Sequence, residues 1–460
     1  MDTINSELIV ESQHVFFETQ STKSIRFRKK NLQKLKSILV DNEDLLYEAI
    51  QKDFGKSRFE TFETELGVLS MDIKDAINNI DDWASNKKVS SNLINFPSSG
   101  FIMPEPLGVC LIIGAWNYPI QLSLAPLIAC MAAGNCAVLK PSELTKHTSA
   151  ALAEIINKNF EPSYLKVVEG GVEETTELLK LNFNKFFFTG STRVGKIIYK
   201  AAAEKLIPVT LELGGKSPAI ILEDADLDNT AKKVVWGKFL NAGQTCIAPD
   251  YALIHPSVKA DFIEKLKYYI DTFDYRLENE NFVSIINEVH FNRLKGLMAD
   301  GKKVIGGQCD PENRVISPTV LDGIKLDDAI MQEEIFGPLL PLIDCSSAEE
   351  AIKIVRSFPK PLALYLFTGN NKMKNKILNE LSFGGGGVNE TIMHITNSKL
   401  PFGGVGQSGL GSYHGEAGFR CFSHYKSILE KPVLPEVPVK YPPYTQRKLN
   451  VLKWVAGWKK

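Results

Sequence analysis

Residues 186–218 read FFFTGSTRVGKIIYKAAAEKLIPVTLELGGKSP and carry the clearest fold signal in the chain. An apolar run ends at Gly190, a helical pattern follows at 192–205, and a second apolar run at 207–213 leads into two glycines. A strand, a helix and a strand in this order form a βαβ unit, in which the two strands lie parallel. The stretch therefore predicts an open parallel sheet, which binds its ligands at the carboxyl ends of the strands.

The same alternation of short apolar runs and helical patterns continues on both sides of this unit. Before it, the predicted strands are 107–113, 136–140, 165–168 and 184–188, and the predicted helices are 119–133, 143–159 and 172–181. After it, the predicted strands are 218–222, 250–255, 341–345 and 361–367, and the predicted helices are 226–240, 257–272, 347–357 and 371–382. Two α/β domains are therefore expected, with their junction at 211–218.

The remaining segments show other patterns. Residues 21–54 have the pattern of one long amphipathic helix, whereas the glycine-rich segments 384–387 and 403–411 indicate loops. Residues 431–460 carry many prolines, which is typical of an extended tail.

Composition limits the classes of protein to which the chain can belong. Its 460 residues exceed the size of one hydrophobic core, and 44% apolar and 23% charged residues are ordinary for a globular protein. A net charge of −1 provides no overall field that would attract nucleic acid. The seven cysteines include no CxxC pair and no cluster with metal-ligand spacing, so we expect a reducing, cytoplasmic compartment and no metal site. The first ten residues, MDTINSELIV, lack the pattern of a secretory signal.

The segment 106–139 contains no Asp, Glu, Lys or Arg and is long enough to span a membrane. Asn117, Pro119 and Asn135 interrupt it, and such interruptions are costly in lipid. We therefore interpret the segment as a buried strand, a loop, a buried helix and a second strand.

The turn at Gly190 is a candidate phosphate site. Gly190 and Gly195 flank Ser191 and Thr192 where the predicted helix begins, and free backbone N–H groups at a helix start favour anions. The pattern is neither GxGxxG nor a Walker loop, and an ordinary βα turn accounts for it equally well.

Lys140 and Glu143 follow the apolar strand at 136–140. At the carboxyl end of a strand, a lysine can hydrogen-bond ribose hydroxyls, and a carboxylate can accept from a 2′-hydroxyl and disfavour a 2′-phosphate. A helix start whose acidic residue complements the helix dipole is the simpler alternative.

Three residues could support nucleophilic chemistry. Cys246 lies in NAGQTCIAPD (241–250), flanked by two amides and a hydroxyl. Glu212 lies in an apolar strand before two glycines, where burial without a cation would raise its pKa toward that of a general base. Asn117 follows a strand, and its amide could donate to an oxyanion. Taken singly, each has a structural alternative: a packed thiol, a turn-capping carboxylate and a turn amide.

Two carboxyl-terminal motifs supply further candidates. In QEEIFGP (332–338), one acid could hold a ribose and Phe336 could flank a flat ring, and a solvated acidic turn is the alternative. In NETIMHITNSKLPFGGVGQSG (389–408), His394 is more often structural than catalytic, so neither a Ser-His-Asp triad nor a cysteine-protease pair is supported.

Taken together, FTGSTRVGK, LELGGKSP, GQTC, QEEIFGP and PFGGVGQSG occur in the order in which the aldehyde dehydrogenase superfamily has them. The resemblance extends from about residue 20 to about residue 430. WNYP, the short amino terminus and SYHGEAGFRCFSHYKSIL (412–429) resemble the class 3 type, which includes fatty and aromatic aldehyde dehydrogenases.

The resemblance implies an α/β fold with a Rossmann-like parallel-sheet cofactor domain, an α/β catalytic domain and a small β bridging element for oligomerisation. It implies a cofactor domain at 1–85 and 105–211, a catalytic domain at 212–394, a bridging element at 86–104 and 395–430, and a tail at 431–460. The implied cofactor is NAD, with NADP as the alternative, and the implied assembly is a homodimer.

By the same resemblance, Cys246 is the nucleophile, Glu212 the general base and Asn117 the side-chain donor to the oxyanion. The residues implied in cofactor binding are Lys140, Glu143, Gly190, Ser191, Gly195, Leu213, Glu334 and Phe336. The residues expected along the aldehyde pocket are Tyr118, Ile247, Thr391 and His394.

The implied reaction is oxidation of a medium-chain, long-chain or aromatic aldehyde to its acid. A thiohemiacetal and then a thioester would form on Cys246, and water activated by Glu212 would hydrolyse the thioester. Transfer of the acyl group to coenzyme A is one alternative, which Glu212 disfavours because a water-activating base suits hydrolysis. The others are a non-catalytic cofactor-binding protein on the same fold and a thiol hydrolase that ignores NAD.

The segment RKLNVLKWVAGWKK (447–460) has apolar residues near helical spacing with lysines between them, and it is too short to span a bilayer. A docked helix or a contact with a partner subunit is the simpler interpretation, and peripheral membrane contact is the alternative.

Overall fold

The computed structural model describes residues 6–433 and 438–458. The α-helices of this part of the chain are α1 (Ser6–Glu18), α2 (Ile25–Asp41), α3 (Glu43–Phe54), α4 (Arg58–Thr61), α5 (Gly67–Trp83), α6 (Gln121–Ala133), α7 (Lys146–Asn159), α8 (Val172–Lys180), α9 (Thr192–Glu204), α10 (Leu227–Phe239), α11 (Pro256–Phe273), α12 (Glu288–Leu297), α13 (Ala329–Gln332), α14 (Ala348–Arg356), α15 (Asn371–Glu380), α16 (Gly415–Cys421) and α17 (Gln446–Val455). The strands are β1 (Lys87–Val89), β2 (Ser99–Pro106), β3 (Val109–Ile113), β4 (Cys136–Lys140), β5 (Leu165–Val167), β6 (Lys185–Thr189), β7 (Val209–Glu212), β8 (Pro218–Ile221), β9 (Tyr251–Ile254), β10 (Lys302–Ile305), β11 (Cys309–Asp310), β12 (Val315–Ile316), β13 (Thr319–Asp322), β14 (Leu339–Asp344), β15 (Ala363–Phe367), β16 (Gly385–Val388), β17 (Gly409–Leu410) and β18 (Ser423–Glu430).

The first large sheet has the strand order β17-β7-β6-β3-β4-β5, and its five strands from β7 to β5 are parallel. The chain starts this parallel sheet at β3, builds outward through β4 and β5, and then returns to the other side of β3 with β6 and β7. The strand order therefore reverses between β3 and β6, which is the point where open α/β sheets bind ligands. The predicted βαβ unit is confirmed as β6, α9 and β7.

The second large sheet has the order β10-β13-β14-β9-β8-β15-β16 and is parallel except for β10. A third sheet joins β1, β2 and β18 in antiparallel pairs. The predicted α/β fold class is thus confirmed. The third sheet draws its strands from the two segments predicted to form a bridging element, although β2 extends two residues beyond 104.

Two predictions from sequence are wrong. The single helix expected at 21–54 is a short 3-10 turn followed by α2 and α3. The break lies at Asn42, whose φ of −118° and ψ of 23° leave the helical region and whose side-chain amide donates to the Ile38 carbonyl at 2.7 Å. The glycine segment expected to be a loop at 384–387 mostly forms β16, parallel to β15. Glycine is required there because a Cβ on Gly386 would lie 1.9 Å from the Leu364 carbonyl oxygen.

The charge-free run at 106–139 forms the end of β2, then β3, α6 and β4, and these last three elements lie in the core. No helix within 6–433 or 438–458 is long and apolar enough to cross a membrane. In the tail, α17 buries none of its side chains, and Trp454 is 68% exposed. Residues 1–5, 434–437 and 459–460, which belong to the predicted amino-terminal and tail segments, lie outside the described part of the chain.

Candidate active site

A cleft of about 1480 Å³ opens where β3, β4, β6 and β7 end. The carboxyl ends of these parallel strands share one edge of the sheet, and the loop between α10 and β9 contributes Cys246 to the lining. The predicted site residues that line the cleft are Asn117, Tyr118, Lys140, Glu143, Gly190, Ser191, Glu212, Leu213, Cys246, Ile247, Glu334 and Phe336. Residues far apart in sequence are therefore brought together in one cleft.

Three predicted residues do not line the cleft. Gly195 packs behind it, where a Cβ would lie 2.6 Å from a methyl carbon of Leu213. Thr391 is buried and donates from its hydroxyl to the Lys233 carbonyl at 2.8 Å, because it faces α10. His394 packs between aromatic rings, and burial lowers its pKa to about 4, so its imidazole is neutral near pH 7. In place of Thr391 and His394, the neighbouring residues Ile392, Met393, Ile395 and Thr396 line the cleft.

The loop before Cys246 has an unusual backbone. Asn241 and Ala242 have φ values of 53° and 51°, and Gly243 has a φ of 71°. A Cβ on Gly243 would lie 2.3 Å from the Gly337 carbonyl oxygen, so only glycine fits. Strained backbone of this kind is concentrated at functional sites, where surrounding contacts maintain it.

Side-chain hydrogen bonds tie this loop to the turn after β3, and two of them involve the residues directly before Cys246. The side-chain nitrogen of Asn117 donates to the backbone carbonyl of Gln244 at 3.0 Å. The hydroxyl groups of Tyr118 and Thr245 share a hydrogen bond of 2.6 Å. Each bond places a residue of the turn beside the residues that precede Cys246, and one hydrogen of the Asn117 amide remains for another acceptor.

Glu212 ends β7 and is 3% exposed. Among the described residues, neither of its carboxylate oxygens has a hydrogen-bond partner. Burial raises the pKa of this carboxyl well above its usual value. An unpartnered buried acid that lines a cleft is costly for folding and suited to general acid–base chemistry.

The thiol of Cys246 has a raised pKa of about 12. Burial is the main cause, and the negative charges of Glu334 and Glu212 add to it. The thiol is therefore neutral in this state of the protein. Nucleophilic attack requires a change in its surroundings that favours the thiolate.

The other half of the cleft has features that suit a dinucleotide. Gly190 precedes the helix α9, whose start is capped by the Ser191 hydroxyl accepting from the Val194 N–H, and a Cβ on Gly190 would lie 2.6 Å from the Phe188 ring. The Nζ of Lys140 lies 3.7 Å from a carboxylate oxygen of Glu143, whose side chain is 48% exposed.

Glu334 lies against the backbone of Gly214, where a Cβ would come within 1.8 Å of its carboxylate oxygen. Burial raises the pKa of Glu334 to about 8. Phe336 has a φ of 50° and contacts the edge of Trp116, with 5.2 Å between the ring centroids. These features correspond to the parts of NAD(P). A helix start suits the phosphates, the lysine and acid pair and the second acid suit the two riboses, and the aromatic ring suits the flat nicotinamide ring.

Several further residues line the cleft that the sequence motifs did not single out. Trp116 was within reach, since it stands beside Asn117 in the quoted WNYP motif. Phe402 and Tyr413 were also within reach, because they lie in the quoted motifs PFGGVGQSG and SYHGEAGFRCFSHYKSIL. His290 and Arg293 come from α12, whose local sequence has no recognisable signal. Arg293 donates to the backbone carbonyl of Ile335 at 2.6 Å and so supports the segment between Glu334 and Phe336.

An α/β sheet whose switch point opens into a cleft lined by a buried acid, a cysteine and a glycine turn at a helix start suits a cofactor-dependent oxidoreductase. The chain belongs to the aldehyde dehydrogenase family, whose model matches residues 5–428. It is therefore an NAD(P)-dependent aldehyde dehydrogenase, of the class EC 1.2.1.-, and the predicted family is confirmed.

Individual relatives refine this placement. The chain is 46% identical over 433 residues to 4,4'-diaponeurosporen-aldehyde dehydrogenase of Staphylococcus aureus. The aligned region covers 93% of this chain and 94% of the relative. It is 43% identical to a dimeric NADP-preferring aldehyde dehydrogenase of Rattus norvegicus, with coverage of 93% and 95%. The solved structure of the substrate-bound state of Staphylococcus aureus AldH matches all of both chains with a TM-score of 0.95 and 44% identity. Other relatives at 42–43% identity are members of family 3, which confirms the predicted class 3 type.

Proposed function

We propose that this enzyme oxidises apolar aldehydes to carboxylic acids through a thioester on Cys246. The observation that carries the proposal is the buried, unpartnered carboxylate of Glu212 in the same cleft as Cys246 and Asn117. No hydrogen bond within the described residues explains that carboxylate, whereas a water-activating base requires a free one.

The chemistry assigns one role to each of the three residues. The Cys246 thiolate attacks the aldehyde carbon, and the oxyanion accepts from the free hydrogen of the Asn117 amide and from the Cys246 backbone N–H. NAD(P)⁺, when bound, supplies the hydride acceptor that the oxidation requires. Glu212 then takes a proton from water, whose oxygen attacks the thioester, releasing the acid and restoring the thiol.

Different residues of the cleft would hold different parts of the cofactor. Gly190, Ser191 and the start of α9 suit the pyrophosphate, while Gly195 allows α9 to pack closely on Leu213. Lys140 and Glu143 suit the adenosine ribose. Glu334 and Phe336, which line the same cleft, suit the nicotinamide ribose and ring. NAD is the proposed cofactor and NADP the alternative, and the rat relative is named NADP-preferring.

The aldehyde half of the cleft is largely apolar. Besides Tyr118 and Ile247, the side chains expected there are Trp116, Leu122, Trp236, Leu240, Ile392, Ile395 and Phe402. Burial of hydrocarbon on such walls contributes about 25 cal/mol per Å² of apolar surface. A medium-chain, long-chain or aromatic aldehyde is therefore the proposed substrate, and the Staphylococcus aureus relative is named for 4,4'-diaponeurosporen-aldehyde.

The three sheets suggest how the chain is divided into domains and how it assembles. We propose that the six-stranded sheet forms the cofactor domain, the seven-stranded sheet the catalytic domain, and β1, β2 and β18 the bridging element of a homodimer. The rat relative is named as dimeric, which supports this assembly. The low cysteine content supports a cytoplasmic location.

The test is a kinetic screen with NAD⁺ and NADP⁺ over aldehydes from short aliphatic to long-chain and aromatic. The proposal expects kcat/KM to rise with the apolar surface of the aldehyde and the free acid to be the product, with or without coenzyme A. Cys246→Ala should abolish NADH formation. Cys309→Ala, in the distant strand β11, is the matched control and should retain it. A preference for short, polar aldehydes would contradict the substrate class, and acyl-CoA as the product would contradict hydrolysis.

A further inference from the structure

A buried ion pair lies directly behind the turn that carries Asn117. The Nζ of Lys56 and Oε1 of Glu65 are 2.9 Å apart, and both side chains are 0% exposed. Neither residue lines the cleft. Because desolvation offsets most of the attraction within a buried ion pair, stability alone is a weak reason for burying two charges here.

Both partners contact the turn itself. The Lys56 ammonium donates to the Asn117 backbone carbonyl at 3.4 Å and lies 4.2 Å from the centroid of the Tyr118 ring, a cation–π distance. The second carboxylate oxygen of Glu65 accepts from the backbone N–H of Ile120 at 2.8 Å and from that of the following residue at 3.1 Å. The pair therefore holds the turn between β3 and α6 at its middle and at the start of α6.

The same helical segment also reaches the Cys246 loop. Glu60 accepts from the Asn241 backbone N–H at 3.0 Å, and the Asn241 side-chain nitrogen donates to the Asn117 carbonyl at 2.9 Å. That carbonyl thus accepts from Lys56 and from the loop before the nucleophile. Glu65 is presented by a π-helical turn at Phe62–Leu66, a feature often found at functional sites.

We propose that Lys56 and Glu65 are positioning residues that orient the Asn117 amide toward the oxyanion. The inference rests on the proposed function, since it assigns a direction to the donor named there. The Asn117 side chain is attached to the backbone of this turn. If the turn shifts because Lys56 no longer holds it, the amide is displaced from the position in which it donates to the oxyanion. A displacement of about 1 Å in a catalytic geometry can cost on the order of 10² in rate.

The experiment measures NADH formation in single turnovers at saturating cofactor and over a series of aldehyde concentrations, so that the maximal rate and the aldehyde KM are obtained together. In Lys56→Met, we expect the rate per folded enzyme to fall by about 10-fold or more while the aldehyde KM stays close to the wild-type value. Hydrolysis of 4-nitrophenyl acetate, which needs the thiol and the oxyanion donor but no hydride transfer, should fall in parallel. Lys185→Met is the matched control, because Lys185 is a buried lysine hydrogen-bonded to Thr210 at the opposite end of the sheet. It should lower the melting temperature and leave the single-turnover rate unchanged.

A double variant separates positioning from the cost of an unpaired buried charge. Lys56→Met/Glu65→Gln removes both charges and keeps an oxygen for the Ile120 N–H, so it should regain stability without regaining the rate. It also serves as the test protein if Lys56→Met folds poorly. Wild-type rates in the folded single or double variant would overturn the proposal. Failure of the proposed function is distinguishable, because the unmodified enzyme would then form no NADH from any aldehyde.

Discussion

The side-chain amide of Asn117 donates to the backbone carbonyl of Gln244 across a distance of 3.0 Å, two residues before Cys246. This bond links the turn after the central strand β3 to the loop of the nucleophile, so the proposed oxyanion donor and the thiol belong to one connected unit. It also leaves one amide hydrogen for substrate.

Asn117→Ala should therefore lower kcat by about 10²–10³-fold, the usual cost of removing one oxyanion donor, with a small effect on the aldehyde KM. Steady-state kinetics measure this directly. Asn157→Ala is the control, because Asn157 also bonds backbone groups, at 2.9 and 3.0 Å to Val167, and lies outside the cleft. Equal losses in both variants would assign Asn117 a structural role.

The raised pKa of Cys246 predicts slow alkylation of the enzyme without cofactor. Since the thiol has a pKa of about 12, its reaction rate with iodoacetamide should still be increasing with pH above 9, the ordinary value. The Cys246→Ala protein supplies the background from the other cysteines. A rate that reaches its plateau below pH 9 would show that the thiolate is already stabilised.

The buried carboxyl of Glu212 predicts a pH-dependent stability. Its pKa is raised in the folded protein, so the folded state holds a proton that the unfolded state loses, and stability falls as pH increases above the unfolded value near 4.5. Glu212→Gln removes this loss. The variant should match the wild-type melting temperature at pH 4 and exceed it increasingly toward pH 8. Other acids with a raised pKa, such as Glu334, are present in both proteins, so their effect cancels in the difference between the two melting temperatures. A constant difference across this range would contradict the assignment.

Glu143 predicts the choice between the two cofactors. Its carboxylate should repel a 2′-phosphate, so Glu143→Gln should raise the ratio of kcat/KM for NADP⁺ to that for NAD⁺ on the order of tenfold, or about 1.4 kcal/mol. Glu173→Gln, an exposed acid at the start of the nearby helix α8, is the matched control. An unchanged ratio in Glu143→Gln would show that this side chain does not contact the ribose.

The sequence predicts the framework well because each strand and helix of the first sheet has its own local pattern. The segment at 136–140 is the strand Cys136–Lys140, and the turn at Gly190 precedes α9 as expected. Motif order also predicts most of the cleft. Where local pattern and tertiary contact disagree, the prediction is wrong: Asn42 interrupts a helix that its neighbours favour, and the glycines of β16 form a strand because they allow close approach to β15.

Tertiary contacts also explain the errors within the site. Thr391 and His394 stand in the correct segment, but their side chains turn away from the cleft toward Lys233 and toward a cluster of aromatic rings. Lys56 and Glu65 carry no motif at all. Their importance appears only when the turn at Asn117 is seen to rest on them.

In the proposed mechanism, a thioester forms on Cys246 and Glu212 is needed to hydrolyse it. The most direct measurement is mass spectrometry of Glu212→Gln mixed with NAD⁺ and a long-chain aldehyde. We predict one equivalent of NADH per active site, turnover slowed by about 10²-fold or more, and a peptide containing Cys246 that gains the mass of the aldehyde minus two hydrogens. Cys246→Ala should show neither the NADH nor the adduct. Rapid turnover of Glu212→Gln without an adduct, or an adduct on another cysteine, would contradict the account.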